Sequence, residues 1–273
     1  MKITFLGTCA AEGFPGLFCK CDTCNKARIL KGKNIRSRFS IMINENIKID
    51  FPPDSYYHLL NNNLDYTKLK YLFISHPHSD HLAAYEMEFL KYGFTTLKDF
   101  HLNIYGWEKS INLIKDYVKE ESINQPNLYP VKAFDVIDIE DFKVYVLPAN
   151  HMKENDHPFI YLFVRKSDNK TFLSAHDTGY FSEDVWNFLK NFSIDIISLD
   201  CTYGTRNNKY NHLGGENILE IKNRLLKEKI LKENHRFIVN HFSHNCGKTH
   251  EELEQYFNPH NIEVAYDGLT INF

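Results

Sequence analysis

The sequence predicts an α/β protein in which β-sheets are sandwiched by helices, and three observations predict it. Short runs rich in Ile, Val, Phe and Tyr, bounded by Asn, Asp, Gly or Pro, recur along the whole chain; such runs form strands. Helical periodicity falls both between and after these runs. No Ser/Gly/Pro-rich linker, tandem repeat or low-complexity tract interrupts the 273 residues, so one domain spanning 1–273 is expected.

The elements follow in order. "KITFLG" (2–7) is the first strand, and "FSIMIN" (39–44) with "NIKIDF" (46–51) form a hairpin turning at Asn44–Glu45. "LLNNNLDYTKLK" (59–70) reads as a helix end and a loop before the strand "LKYLFIS" (69–75). A helix over 108–122 places Ile111, Ile114 and Val118 on one face. The strands "FKVYVLPA" (142–149), "FIYLFVR" (159–165) and "KTFLSA" (170–175) come next. Ser182 is placed to cap a helix over 182–192, which buries Val185, Trp186 and Leu189. After "IDIISLD" (194–200), a helix over 215–231 carries Ile218, Ile221 and Leu225. The strand "RFIVNHF" (236–242) leads to a helix over 249–257, where Thr249 and Glu252 have the spacing of a capping box. "IEVAYD" (262–267) and "LTINF" (269–273) bring the total to about eleven strands.

The bulk properties exclude several classes. With 43% hydrophobic and 25% charged residues, the chain can build a large core. A formal charge of -3 argues against a nucleic-acid coat or a membrane-surface protein. No apolar run approaches the roughly 18 residues of a membrane span, and the four-residue apolar run before Gly7 is too short for a signal peptide. A cytoplasmic location is therefore expected, with no membrane partner. In a reducing compartment the close set Cys19, Cys21 and Cys24 points to metal rather than disulfide. Cys9, Cys201 and Cys246 are expected to be small buried residues.

The chemistry concentrates in "SHPHSDHLAA" (75–84), where His76, His78, Asp80 and His81 follow a buried strand. His76 and His78 point to the same side of extended backbone, and Pro77 keeps the segment out of a ladder or a helix. Imidazole and carboxylate are the ligands of zinc, manganese or iron, the alternative being a solvated loop. Further candidates again follow strands: His151, Asp177 in "HDTG" and His241 in "NHFSH".

"HPHSDH", His151, "HDTG" and "NHFSH", in this order, resemble the motifs of the metallo-β-lactamase fold hydrolases. The resemblance runs from "TFLGTCAAEGFP" to "VAYDGLTI". It implies a four-layer αββα sandwich and two divalent cations, zinc or manganese. One cation would take His76, His78 and His151; the other would take Asp80, His81 and His241, with Asp177 shared. It also implies hydrolysis by a hydroxide bridging two metals, with Asp50 supporting the site. A metal pair about 3.5–4 Å apart lowers the pKa of water towards 7.

"GLFCKCDTC" and "HFSHNCGKTHEEL" narrow this further. They are similar to stretches of the PhnP-like cyclic-phosphate phosphodiesterases, which hold a structural zinc on such a loop. Here Cys19, Cys21, Cys24 and His244 would bind it, on a loop at about 15–30. His212 falls where that family has a histidine assisting the leaving group, and Asp80 is counted with it among the catalytic residues. The expected function is a phosphodiesterase on a small cyclic phosphate ester, with a small-molecule substrate and a homodimer left open. A tRNA 3′-end processing endonuclease, a thioester or lactone hydrolase, and a non-catalytic metal-binding sensor are the alternatives. The mild negative charge argues against a nucleic-acid partner. There are departures: Ala84 stands at the family's glycine, His176 replaces a small residue, and "DFPPD" (50–54) is proline-rich. Arg36 and Arg38 are expected to be exposed, the alternative being contact with a substrate phosphate.

Overall fold

The computed structural model describes residues 1–91, 93–118, 124–151 and 156–273. The chain divides into two compact units. The first comprises Met1–Gly7, Arg38–Lys132 and Gly268–Phe273; the second comprises Thr8–Ser37 and Ala133–Asp267.

The first unit is a seven-stranded mixed sheet. Its strands are β1 (Lys2–Gly7), β2 (Ser40–Ile43), β3 (Ile47–Ile49), β4 (Tyr71–Phe73), β5 (Asn103–Gly106), β6 (Asn127–Pro130) and the C-terminal β14 (Thr270–Asn272). The order is β14-β1-β2-β3-β4-β5-β6, antiparallel as far as β3 and parallel from β3 to β6. The hairpin turns where expected, with Asn44 at φ 54. Leu6, Met42, Leu72, Ile74, Ile104, Ile111 and Ile114 build the core. The helix expected over 108–122 spans Glu108–Lys115, and residues 119–122 lie outside the described residues.

The second unit is also a seven-stranded mixed sheet. Its strands are β7 (Val136–Asp138), β8 (Phe142–Pro148), β9 (Phe159–Arg165), β10 (Thr171–Ala175), β11 (Ile194–Asp200), β12 (Leu231–Asn240) and β13 (Glu263–Val264). They lie in the order β13-β12-β11-β10-β9-β8-β7, with β10 to β13 parallel. Ser182 caps the helix Glu183–Leu189, accepting from the Val185 amide. Thr249 and Glu252 form the expected capping box. The core is Leu162, Leu173, Trp186, Leu199, Ile221, Phe237 and their neighbours.

Several expectations are corrected. The helix expected over 215–231 is Glu216–Lys227; Lys229 takes a left-handed φ of 57, and β12 begins at Leu231. The helix Asp22–Leu30 and the strands β5, β6 and β7 were not expected, whereas the helix Ser55–Asn61 supplies the helix end read in residues 59–70. Arg36 is 3% exposed rather than solvated. Its guanidinium donates to Thr8 Oγ1 at 2.8 Å and the Ala265 carbonyl at 2.6 Å, meets His250 Nδ1 at 2.8 Å, and stacks on Phe242. A buried charge is tolerable when its donors are met this fully. Arg38 pairs with Asp54 at 3.1 Å. Cys9, Cys201 and Cys246 are buried, as expected. Among the described residues no helix is long and apolar enough to cross a membrane.

Candidate metal centre

In an α/β sheet, ligands gather beyond the carboxyl ends of parallel strands. Both units place chemistry-bearing side chains there. In the first unit β3 runs into Asp50, and β4 leads to Ser75 and the histidine cluster. In the second unit β10 leads to Asp177, β11 ends on Asp200 and β12 leads to His241. Asp50, Asp177 and His241 have positive φ (58, 46 and 61). For side-chain-bearing residues that backbone costs about 1–3 kcal/mol, and it collects at functional sites.

In the first unit, Asp50 is fully buried and organises the cluster. Its carboxylate accepts from the Ser75 amide at 2.7 Å and the Ser75 hydroxyl at 2.8 Å. His81 Nδ1 lies 2.6 Å from Asp50 Oδ2, while its Nε2 lies 3.2 Å from Asp80 Oδ2. A proton on Nδ1 satisfies Asp50 and leaves the Nε2 lone pair beside Asp80. That is the tautomer a metal-ligating histidine needs. His76 Nδ1 faces Ser75 Oγ at 3.0 Å, and its Nε2 meets His78 Nδ1 at 2.9 Å. Two nitrogens on one tetrahedral zinc sit about 3.3 Å apart, so this pair needs only a small opening to share an ion.

The second unit repeats the logic. Asp200 is fully buried and receives the Thr202 and Leu213 amides at 3.0 and 2.8 Å and the Asp177 amide at 3.1 Å. His241 Nδ1 faces Thr202 Oγ1 at 2.9 Å and Asp200 Oδ2 at 3.5 Å. Its Nε2 lies 3.3 Å from Asp177 Oδ2, again beside a carboxylate. His151 turns Nδ1 to the Asn211 carbonyl at 3.1 Å and has Nε2 4.0 Å from Asp177 Oδ1. His212 differs, because its Nδ1 lies 3.0 Å from Asp200 Oδ2 and 3.3 Å from Asp177 Oδ1. Burial would raise the Asp200 carboxyl, but the His212 and His241 imidazoles hold it well below the usual carboxylate range. Asp177, Asp200, His212 and His241 offer donor atoms within 4.8 Å of one another.

Asp200 and Thr202 were missed in the sequence. The available signal was an acidic residue closing an otherwise apolar strand, the position Asp50 also takes. His176 is structural: its two ring nitrogens meet Ser174 Oγ at 3.1 Å and Ser198 Oγ at 2.8 Å.

The second unit also holds the cysteine set. Cys19, Cys21, Cys24 and His244 bring their donor atoms within 4.8 Å of one another. His244 Nδ1 lies 3.5 Å from Cys19 Sγ and 3.6 Å from Cys21 Sγ. A tetrahedral zinc with Zn–S about 2.3 Å and Zn–N about 2.05 Å spaces sulfur and nitrogen about 3.6 Å apart, so the residues fit it. Backbone amides supply the outer contacts: Cys21 to Cys19 Sγ, Cys24 to Cys21 Sγ, and Gly16 to Cys24 Sγ at 3.2 Å. Burial works against it, but the Cys24 amide, His244 and the neighbouring thiols bring the Cys21 thiol down to about 6, favouring thiolate. Gly16 packs closely here, since a Cβ would sit 3.1 Å from Cys19 Cβ and 3.2 Å from His244 Cδ2 and would press on both. The site ties the N-terminal loop to the segment that carries His241. Zinc that binds only the folded chain, at about 1,000 times its Kd, stabilises it by about 4 kcal/mol. Cys24→Ser should therefore remove about one zinc and lower the melting midpoint by on the order of 10 °C. Elemental analysis and thermal unfolding check this, and an unchanged zinc content would refute the assignment.

Residues 33–249 match the family model described as Anti-Pycsar protein Apyc1. That span includes every candidate ligand of the histidine and aspartate sets but not the three cysteines. A search of curated proteins gives no match. Among solved structures, the chain is similar to a diphosphatase from the PhnP family, at 22% identity and TM-score 0.75, covering 100% of this chain and 97% of that one. It is similar to Zn(2+)-bound PqqB from Methylobacterium extorquens, at 13% identity and TM-score 0.77, covering 100% of both chains. It is similar to the metallo-β-lactamase fold protein YhfI from Bacillus subtilis, at 15% identity and TM-score 0.68, covering 99% of both. At these identities the likeness shows the fold. The chain has the metallo-β-lactamase fold, with two mixed sheets flanked by helices.

Proposed function

Because the chain belongs to the Anti-Pycsar protein Apyc1 family, we propose that it is a metal-dependent phosphodiesterase acting on a small cyclic phosphate ester. As the sequence resemblance implies, His76, His78, Asp80, His81, His151, Asp177 and His241 would hold two divalent cations. Such cations supply Lewis acidity and a water acidified towards neutral pH.

The protein's own groups do the rest. Asp50 and Asp200 orient His81 and His241 through Nδ1. Conserving those tautomers keeps each Nε2 lone pair available. The observation that carries the phosphodiester reading is the Asp200–His212 pair. Its Nδ1 contact of 3.0 Å with a buried carboxylate stabilises an imidazolium, and the side chain is 22% exposed. A proton on Nε2 can pass to a departing alkoxide oxygen. A thioester has less use for such a donor, because a thiol of pKa near 8.5 can leave as thiolate. The similar PhnP-family structure is a diphosphatase, which supports a substrate with a phosphorus centre.

The test is a panel at matched concentration: bis-(p-nitrophenyl) phosphate, small cyclic nucleotides, an acyl thioester, a lactone and a precursor tRNA. We expect metal-dependent ring opening of a cyclic phosphodiester and no turnover of the thioester, and hydrolysis of the lactone without ring opening of the phosphodiester would transfer the reading to a lactonase. Cleavage of tRNA without ring opening would transfer the reading to an endonuclease. Inertness of metal-replete protein towards every member would favour a sensor.

A further inference from the structure

Lys48 is out of character for its place. It lies in β3 between the buried Ile47 and Ile49, and its own side chain is fully buried. Its ammonium has three protons, and three oxygens surround it. Nζ donates to Ser40 Oγ at 2.6 Å and to the Asp50 carbonyl at 2.7 Å, with Ser55 Oγ at 3.5 Å. The rings of Phe51 and Tyr66 cover it, with centroids 4.9 and 5.8 Å away. A leucine would fill this space without burying a charge, so the charge calls for a purpose.

The geometry supplies one. Asp50 leaves β3 in the left-handed region, which turns its carbonyl out of the strand ladder. Lys48 Nζ and Ser40 Oγ (3.1 Å) both donate to that carbonyl. The same turn aims the Asp50 carboxylate at Ser75 and His81. Phe51, lying over Lys48, continues the linkage: its amide donates to the His81 carbonyl at 2.8 Å, and its carbonyl accepts from the Ala83 amide at 2.7 Å. Both the imidazole and the backbone of His81 are thus referred to one buried cation.

We propose that Lys48 is a positioning residue for the metal site, holding Asp50 in its turned conformation so that Asp50 presents His81 Nε2 to a cation. This rests on the reading of His81 as a ligand. Outer contacts of this kind are worth about 10- to 100-fold in metal affinity.

The experiment uses the full chain with zinc or manganese alone as the probe. Affinities are read by competition with a chromogenic chelator, and turnover is read with bis-(p-nitrophenyl) phosphate. Lys48→Met, with native circular dichroism, should weaken one metal equivalent by about 10- to 100-fold. It should keep the zinc of the cysteine site and lower kcat with KM shifted less than about twofold. Lys48→Arg, which keeps charge and donors, should restore most of that affinity. Wild-type affinity and kcat in Lys48→Met would overturn the proposal, as would a Lys48→Arg protein as defective as Lys48→Met. Should Lys48→Met not fold, Ser40→Ala removes the second donor to the Asp50 carbonyl. A several-fold loss at the same equivalent then supports the proposal, and wild-type affinity overturns it. His81→Ala separates the two levels. If it keeps all its metal, the ligand reading fails; if it loses one equivalent while Lys48→Met loses none, only the role of Lys48 fails.

Discussion

Asp177→Ala lowers turnover of bis-(p-nitrophenyl) phosphate by about 10³-fold or more and releases metal from the histidine and aspartate set. The magnitude follows from the several kcal/mol that a Lewis-acidic cation contributes to a phosphoryl transition state, about 4 kcal/mol being about 10³ in rate. The geometry makes Asp177 the most consequential single position in its unit. Its Oδ2 lies 3.3 Å from His241 Nε2, and its Oδ1 lies 3.3 Å from His212 Nδ1 and 4.0 Å from His151 Nε2. Removing the carboxylate takes away a proposed ligand and leaves three imidazoles facing one another without the anion between them. Dialysis against a chelator should have the same effect in the wild type, reversed by adding back zinc or manganese. Retained metal and turnover in Asp177→Ala would remove this residue from the site.

His212→Ala lowers kcat by about 10²- to 10⁴-fold, the usual range for a lost proton donor, with metal content unchanged and KM little affected. Its Nδ1 faces Asp200 and Asp177, and the resemblance gives it proton donation rather than a place in either ligand set. Unchanged metal content in His212→Ala separates that role from ligation, which the donor group of Asp177, Asp200, His212 and His241 would also allow. Asp200→Asn should show part of the same defect, because an amide cannot stabilise the imidazolium. The double variant should be little worse than His212→Ala, since the two act as a unit. Steady-state kinetics with a poor leaving group, compared with p-nitrophenolate, gives the sharper check. The defect should shrink when the leaving group needs no proton. Equal losses for both leaving groups would mean that His212 does not donate the proton.

Where the chemistry sits in compact motifs, it was legible in the sequence. "HPHSDH" holds four donors in six residues, and strand-then-histidine patterns marked His151, Asp177 and His241. The cysteine spacing marked the second set, and His244 completes it within 3.5–3.6 Å of two sulfurs. Hairpins and caps were also readable, because Asn44, Ser182 and Thr249 act through neighbours in sequence. What escaped is what depends on partners far along the chain. Arg36 looked like a surface arginine, because its acceptors lie at Thr8 and Ala265 and its ring partner at Phe242. Asp200 looked like an ordinary strand end, yet it collects amides from Asp177, Thr202 and Leu213. Lys48 drew no reading, because nothing local shows that its strand is buried throughout. Strands β5 to β7 are short and carry polar residues, so no alternation announced them. The helix Asp22–Leu30 was hidden because Thr23, Cys24 and Ala27 form its buried face, with no large apolar residue among them.

The most direct test of the central claim is the metal content of the native protein, measured together with hydrolysis of bis-(p-nitrophenyl) phosphate on the same sample. Two donor sets that fit a pair of divalent cations and a zinc predict about three metal ions per chain and metal-dependent turnover. Cys24→Ser should remove one ion and Asp177→Ala should remove another, each from its own set. Native protein that carries no metal beyond the cysteine site, takes up none when it is supplied, and leaves the phosphodiester intact would contradict the account.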